Sequence, residues 1–72
     1  MKAGYADGDR ALTPRMRDTL AGVARGETSA QTARRLGVAD STVKNVLAAA
    51  RDRLQVRSSA AAAAKAVRDG LL

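Results

Sequence analysis

The chain has 72 residues, 46% of them apolar and most of those alanine, with no Cys, His, Phe or Trp and a single Tyr. Without Cys or His, disulfides, zinc fingers, thiol nucleophiles and imidazole acid–base chemistry are excluded together, and the seven acids are scattered, with Asp7 and Asp9 the only close pair, so the chain is not read as an enzyme. Thirteen Lys and Arg against those seven acids leave a net charge of +6, which favours a polyanionic partner, nucleic acid before an anionic membrane.

Residues 1–11 mix Gly, Asp and Ala without periodicity and read as a disordered tail ahead of one small domain at 12–72. The tail lacks the hydrophobic stretch of a signal peptide, and the longest apolar run, Ala60 to Ala64, is far too short to span a bilayer. A cytoplasmic protein with no membrane association is expected. At Leu12-Thr13-Pro14 a cap residue precedes a proline whose missing N–H is harmless in a first turn. Met16, Leu20, Val23 and Ala24 follow at helical spacing until Gly26, so helix 1 is predicted over about 14–25. Thr28-Ser29-Ala30-Gln31 reads as a capping box opening helix 2, about 29–36, which Gly37 ends.

After a tight turn with Val38 tucked inwards, Asp40 or Ala39 opens helix 3, about 40–53, with Val43, Val46, Leu47, Ala50 and Leu54 at apolar positions. Ser58 or Ser59 then caps helix 4, about 59–69, which Gly70 closes. Alanine on every side hides the inward face of helix 4. Taking Val67 and Leu71 as markers places Ala60, Ala63 and Ala64 against the core and leaves Ala62 and Ala66 free for a second copy, a homodimer interface. The fold class is all-α, four helices with short connections.

A short helix, a glycine turn and a second helix form a helix-turn-helix, whose second helix enters the major groove of DNA. Helix 3 fits that role. Its outward residues Ser41, Lys44, Asn45, Ala48 and Arg51 are small, polar or basic and include no acid. A groove about 12 Å wide barely admits a helix, so Ser41 and Ala48 let the backbone approach while Lys44 and Asn45 reach base edges. Arg51 can reach a phosphate or a guanine, and Arg15, Arg17, Arg34, Arg35 and Arg57 form a positive collar. Single-stranded nucleic acid is disfavoured, because base stacking needs aromatics and Tyr5 stands alone.

The segments "LTPR" at 12–15, "VARG" at 23–26, "A-x-x-LGV" at 33–38, "STVKN" at 41–45 and "RLQVRS" at 53–58 occur in an order and spacing that resembles the LuxR-type (GerE-like) helix-turn-helix domain over residues 12–72. The resemblance implies that helix 3 reads double-stranded DNA and that helix 4 joins two subunits on an inverted-repeat site. It places Lys44, Asn45 and Ala48 at base-facing positions and Thr42 at a phosphate. It sets Thr28 and Ser29 where helix 2 meets a phosphate. By their charge, Arg35, Arg51 and Arg15 are read as further phosphate contacts. No cofactor, metal or small-molecule ligand is implied, and RNA polymerase is a possible partner of such a regulator.

The chain departs from the family's pattern at several positions. Met16 stands where Glu is usual, which removes a capping box with Thr13. Thr32 stands for Ile, so its buried hydroxyl is expected to bond back to a carbonyl of the previous turn. Val46 stands for His and Ala50 for a large apolar residue. Full-length members often carry a receiver or sensing domain ahead of this one, and a stand-alone domain is expected here. Two rival readings have their own sequence support. "STVKNVLAAARDRL" also resembles the DNA-reading part of bacterial sigma factors, and a domain without a sensor could be an interaction module that forms mixed dimers with a larger relative.

Overall fold

The computed structural model describes residues 12–72, and the expectations for Tyr5, Asp7, Asp9 and the 1–11 tail lie outside the described residues. Within them the chain forms four helices: α1 (Pro14–Ala24), α2 (Ser29–Leu36), α3 (Asp40–Leu54) and α4 (Ser59–Arg68). No described helix is long and apolar enough to cross a membrane.

Each boundary has a local cause. The Thr13 hydroxyl accepts from the Met16 N–H at 3.1 Å, so one half of the cap survives the loss of Glu at position 16. Gly26, at φ 89°, turns the chain out of α1 in a conformation that a Cβ would penalise. At the start of α2 the capping box is complete: Gln31 N–H donates to the Thr28 hydroxyl at 3.0 Å and Thr28 N–H donates to Gln31 Oε1 at 2.7 Å. Gly37, left-handed at φ 72°, ends α2, and Val38 N–H closes back on the Ala33 carbonyl at 3.0 Å.

Ala39, not Asp40, is the cap residue of α3, and it offers no side-chain bond; Asp40 instead sits in the first turn, where its charge suits the helix dipole. The far end of α3 lies at Leu54, one residue past the expected 53. Gln55 takes the left-handed conformation at φ 58°, and the Lys65 ammonium donates to the exposed-end carbonyl of Leu54 at 3.3 Å. Ser58 caps α4, accepting from Ala61 N–H at 3.0 Å.

Helices α1 and α3 each pack on the three others, while α2 and α4 do not meet. The buried α3 residues Val43, Leu47, Ala50 and Leu54 recur at helical spacing and meet Leu12, Met16 and Leu20 from the α1 side. The α4 side contributes only Ala62, Ala63 and Ala66. This corrects the expected register of α4. Ala62 and Ala66 are fully buried inside the subunit and cannot form a dimer face, whereas Ala60, Ala64 and Val67 point outwards. Of the two markers, Val67 lies in the helix but faces solvent, and Leu71 comes after Gly70, at φ 73°, has broken the helix, folding back with its N–H on the Ala66 carbonyl.

Two threonines are buried among these apolar groups, and both hydroxyls are satisfied. Thr19 bonds back to the Arg15 carbonyl at 2.8 Å. Thr32 does not bond to the previous turn as expected; it donates to Glu27 Oε1 at 2.8 Å. A charged acceptor in the preceding loop offers the stronger bond.

Candidate nucleic-acid interface

The 3.6-residue period splits α3 into two faces. Val43, Leu47, Ala50 and Leu54 lie in the core, and Ser41, Lys44, Asn45 and Ala48 are all exposed. The buried face holds the exposed one at fixed height. Lys44 is two-thirds exposed, and its ammonium lies 3.4 Å from Asp40 Oδ2, one helical turn earlier. That acid borders the reading face, so the lysine is partly compensated at rest. Asn45 has its amide in solvent beside a cleft between α1 and α3.

This cleft, of about 280 Å³, is lined by the apolar Met16, Val46 and Ala49 and by the polar Thr13, Arg15, Thr42 and Asn45. It therefore brings together three residues that were read separately from the sequence: Arg15, Thr42 and Asn45. The departures at Met16 and Val46 make part of its lining apolar. The cleft itself was not legible in the sequence, because Arg15 and Asn45 are 30 positions apart and belong to different helices.

At the amino end of α2 the Thr28 hydroxyl accepts from the Gln31 N–H and keeps its own proton available to an anion. The N–H groups of the first turn, Ser29 and Ala30, have no acceptor within the helix by position, and they face the direction in which a helix attracts negative charge. Ser29 is half-buried and Thr28 exposed.

The arginines expected at phosphates differ in how far they are already engaged. Arg15, Arg34 and Arg57 are exposed and carry no ion pair among the described residues. Arg51 is half-buried and donates through Nη1 to the Ser59 hydroxyl at 3.0 Å, tying α3 to α4. Arg35 belongs elsewhere. Its Nε and Nη2 bind the Glu27 carboxylate at 3.1–3.2 Å, and Nη2 also reaches the Asp18 carbonyl at 3.2 Å. It is a strut between α2, the preceding loop and α1, and its charge is already matched by an acid.

Glu27 was missed by the sequence reading. Its separation of five and eight residues from Thr32 and Arg35 crosses a loop and follows no helical period. One signal did point there: Gly22 in the middle of α1, where glycine costs about 1 kcal/mol relative to alanine. The structure explains it, since a Cβ on Gly22 would collide with Glu27 Oε1 and the Thr32 hydroxyl. The Arg35 fork, and after it the Thr32 hydroxyl, lower the Glu27 pKa from 4.5 to about 2 against a smaller opposing effect of burial. A depressed folded-state pKa means that the carboxylate stabilises the fold fully above pH 4.5 and loses this contribution as the pH falls towards 2. Acid titration followed by circular dichroism should therefore show a loss of stability in that window, and Glu27→Gln should flatten it. An unchanged acid limb in the variant would refute the assignment.

No group of acids, His or Cys among the described residues is arranged to hold a metal ion. No curated protein and no solved structure matches the chain. The family model described as "Bacterial regulatory proteins, luxR family" matches residues 10–66, the greater part of the sequence and all of α1, α2 and α3. With four helices in the expected order and a helix-turn-helix at α2–α3, the chain belongs to the LuxR family of bacterial regulators and is a DNA-binding helix-turn-helix domain.

Proposed function

We propose that this protein is a sequence-specific transcription regulator that inserts α3 into the major groove of double-stranded DNA. The observation that carries the reading is the outward face of α3: Ser41, Lys44, Asn45 and Ala48 are exposed together, with nothing bulky or acidic among them. Lys44 suits a guanine O6/N7 edge and Asn45 an adenine N6/N7 edge. Ser41 and Ala48 keep the helix slim enough to enter. Thr42 and Arg15, which line the cleft with Asn45, suit the phosphates of one strand, and Thr28 and Ser29 at the amino end of α2 suit another. Arg51 keeps guanidinium nitrogens beyond the one bound to Ser59 for a further phosphate.

The protein acts as a homodimer through the outward face of α4, in the cytoplasm, and regulates by presenting or blocking a promoter to RNA polymerase. Ala60, Ala64 and Val67 support the dimer, because they are exposed one above another on one side of the helix. One short side chain per turn, Ala60 and then Ala64, lets a second α4 come close, and Val67, 58% exposed, supplies an apolar anchor.

Selecting bound duplexes from a random pool tests the whole reading. The expected product is an inverted repeat, one half-site for each α3. Affinity for it should fall steeply with salt, with log K declining by about 0.9 per phosphate neutralised for each unit of log salt. Enrichment of no sequence, with a mixed dimer formed alongside a larger LuxR-type protein, would favour the interaction module. Co-purification with core RNA polymerase and a single asymmetric site would favour the sigma-like reading.

A further inference from the structure

Three donors converge on the Glu27 carboxylate. The Arg35 fork binds both oxygens, the Thr32 hydroxyl binds Oε1 at 2.8 Å, and Arg25 Nη2 lies 3.4 Å from Oε2. The space for this assembly exists because position 22 has no side chain. Glu27 immediately precedes Thr28, the cap residue of α2, so an unmatched carboxylate here would stand within a Debye length, about 10 Å at 0.1 M salt, of the terminus offered to a phosphate. Arg35 has meanwhile committed Nε and Nη2 to that carboxylate, and Nη2 also to the Asp18 carbonyl of α1.

We propose that Arg35 and Glu27 form a charge-cancelling positioning pair for DNA binding: Arg35 raises affinity by neutralising Glu27 beside the phosphate-facing end of α2, not by touching a phosphate itself. The pair rests on the DNA-binding reading above and assigns Arg35 a different role from that of Arg15. Arg35 also bolts α2 to α1 through Asp18, so the cancelled charge and the placement of the helix end depend on the same guanidinium. On this account the effect of losing Arg35 exists only while Glu27 is present. A direct phosphate contact would be lost whether or not Glu27 is there.

A double-mutant cycle on the full chain separates the two, with the duplex selected above as probe and folding of each variant checked by circular dichroism. Arg35→Ala should weaken every duplex roughly tenfold, while the slope of log K against log salt stays at the wild-type value. Glu27→Ala/Arg35→Ala should recover most of that loss, to within about threefold of wild type. Glu27→Gln keeps an oxygen for Thr32 and removes the charge. It should bind at least as tightly as wild type, and it carries the test by itself if Arg35→Ala unfolds. A slope reduced by about 0.9 in Arg35→Ala, with no recovery in the double variant, overturns the proposal, as does weaker binding by folded Glu27→Gln. Wild-type protein that binds no duplex overturns the DNA-binding reading, and the pair's role with it.

Discussion

Replacing Leu20 with alanine is expected to leave the domain largely unfolded at 25 °C. Leu20 is completely buried in the middle of α1, in a core whose other contributors include Ala33, Ala50, Ala62, Ala63 and Ala66. Truncating a buried leucine costs about 2–5 kcal/mol, towards the upper end where neighbours cannot collapse into the space. Alanines have no side-chain freedom with which to fill it, so the upper end applies. A single core in a chain below about 70–80 residues rarely supplies more than 3–5 kcal/mol, and one substitution therefore removes most of the margin. Urea titration measures this directly. A loss under about 1 kcal/mol would mean that the packing of α1 on α3 and α4 does not hold the fold. Excess duplex should restore part of the structure, because a ligand at 100 times its Kd stabilises the folded state by about 2.7 kcal/mol. The same alanines that let the helices approach closely leave the core thin.

How much of this was legible in the sequence varies with the kind of signal. The ends of α2 came from Thr28, Gln31 and Gly37, whose backbone roles are local and hold in the fold at the expected residues. The reading helix was legible for a similar reason: Val43, Leu47 and Leu54 are large enough to mark the core side, and the rest of α3 follows from the helical period. Helix α4 failed the same test because alanine has no preference for either side, and its direction is decided by which face the other helices leave open. The outward face moved with it, from Ala62 and Ala66 to Ala60, Ala64 and Val67. The Glu27 assembly was hidden for another reason. Its members come from α1, a loop and α2, and only folding brings them together. That assembly changed the meaning of Arg35, which from sequence looks no different from Arg34 beside it, although Arg34 carries no ion pair among the described residues. Charge counting finds the sign of a surface, whereas pairing decides which cations remain for a partner.

Lys44→Ala is expected to flatten sequence preference at one position of each half-site, costing about 1–3 kcal/mol of discrimination against the wrong base. The Lys44 Cα is held by Val43 and Leu47, which are buried on the opposite side of α3, so the alanine variant keeps its fold and its approach to the groove. The side chain is two-thirds exposed and makes only a surface ion pair with Asp40, of the kind worth about 0–1 kcal/mol, so a guanine edge can readily take its place. Losing Lys44 also leaves Asp40 unmatched beside the DNA, which should lower affinity for all duplexes by a smaller amount. Asp40→Asn separates the two contributions. Lys44→Ala/Asp40→Asn should regain general affinity but not discrimination, measured by competing the selected duplex against single-base variants. Retained preference at every base pair in Lys44→Ala would move the reading residues elsewhere on α3, and Asn45, which lines the cleft with Arg15 and Thr42, would be the next to replace.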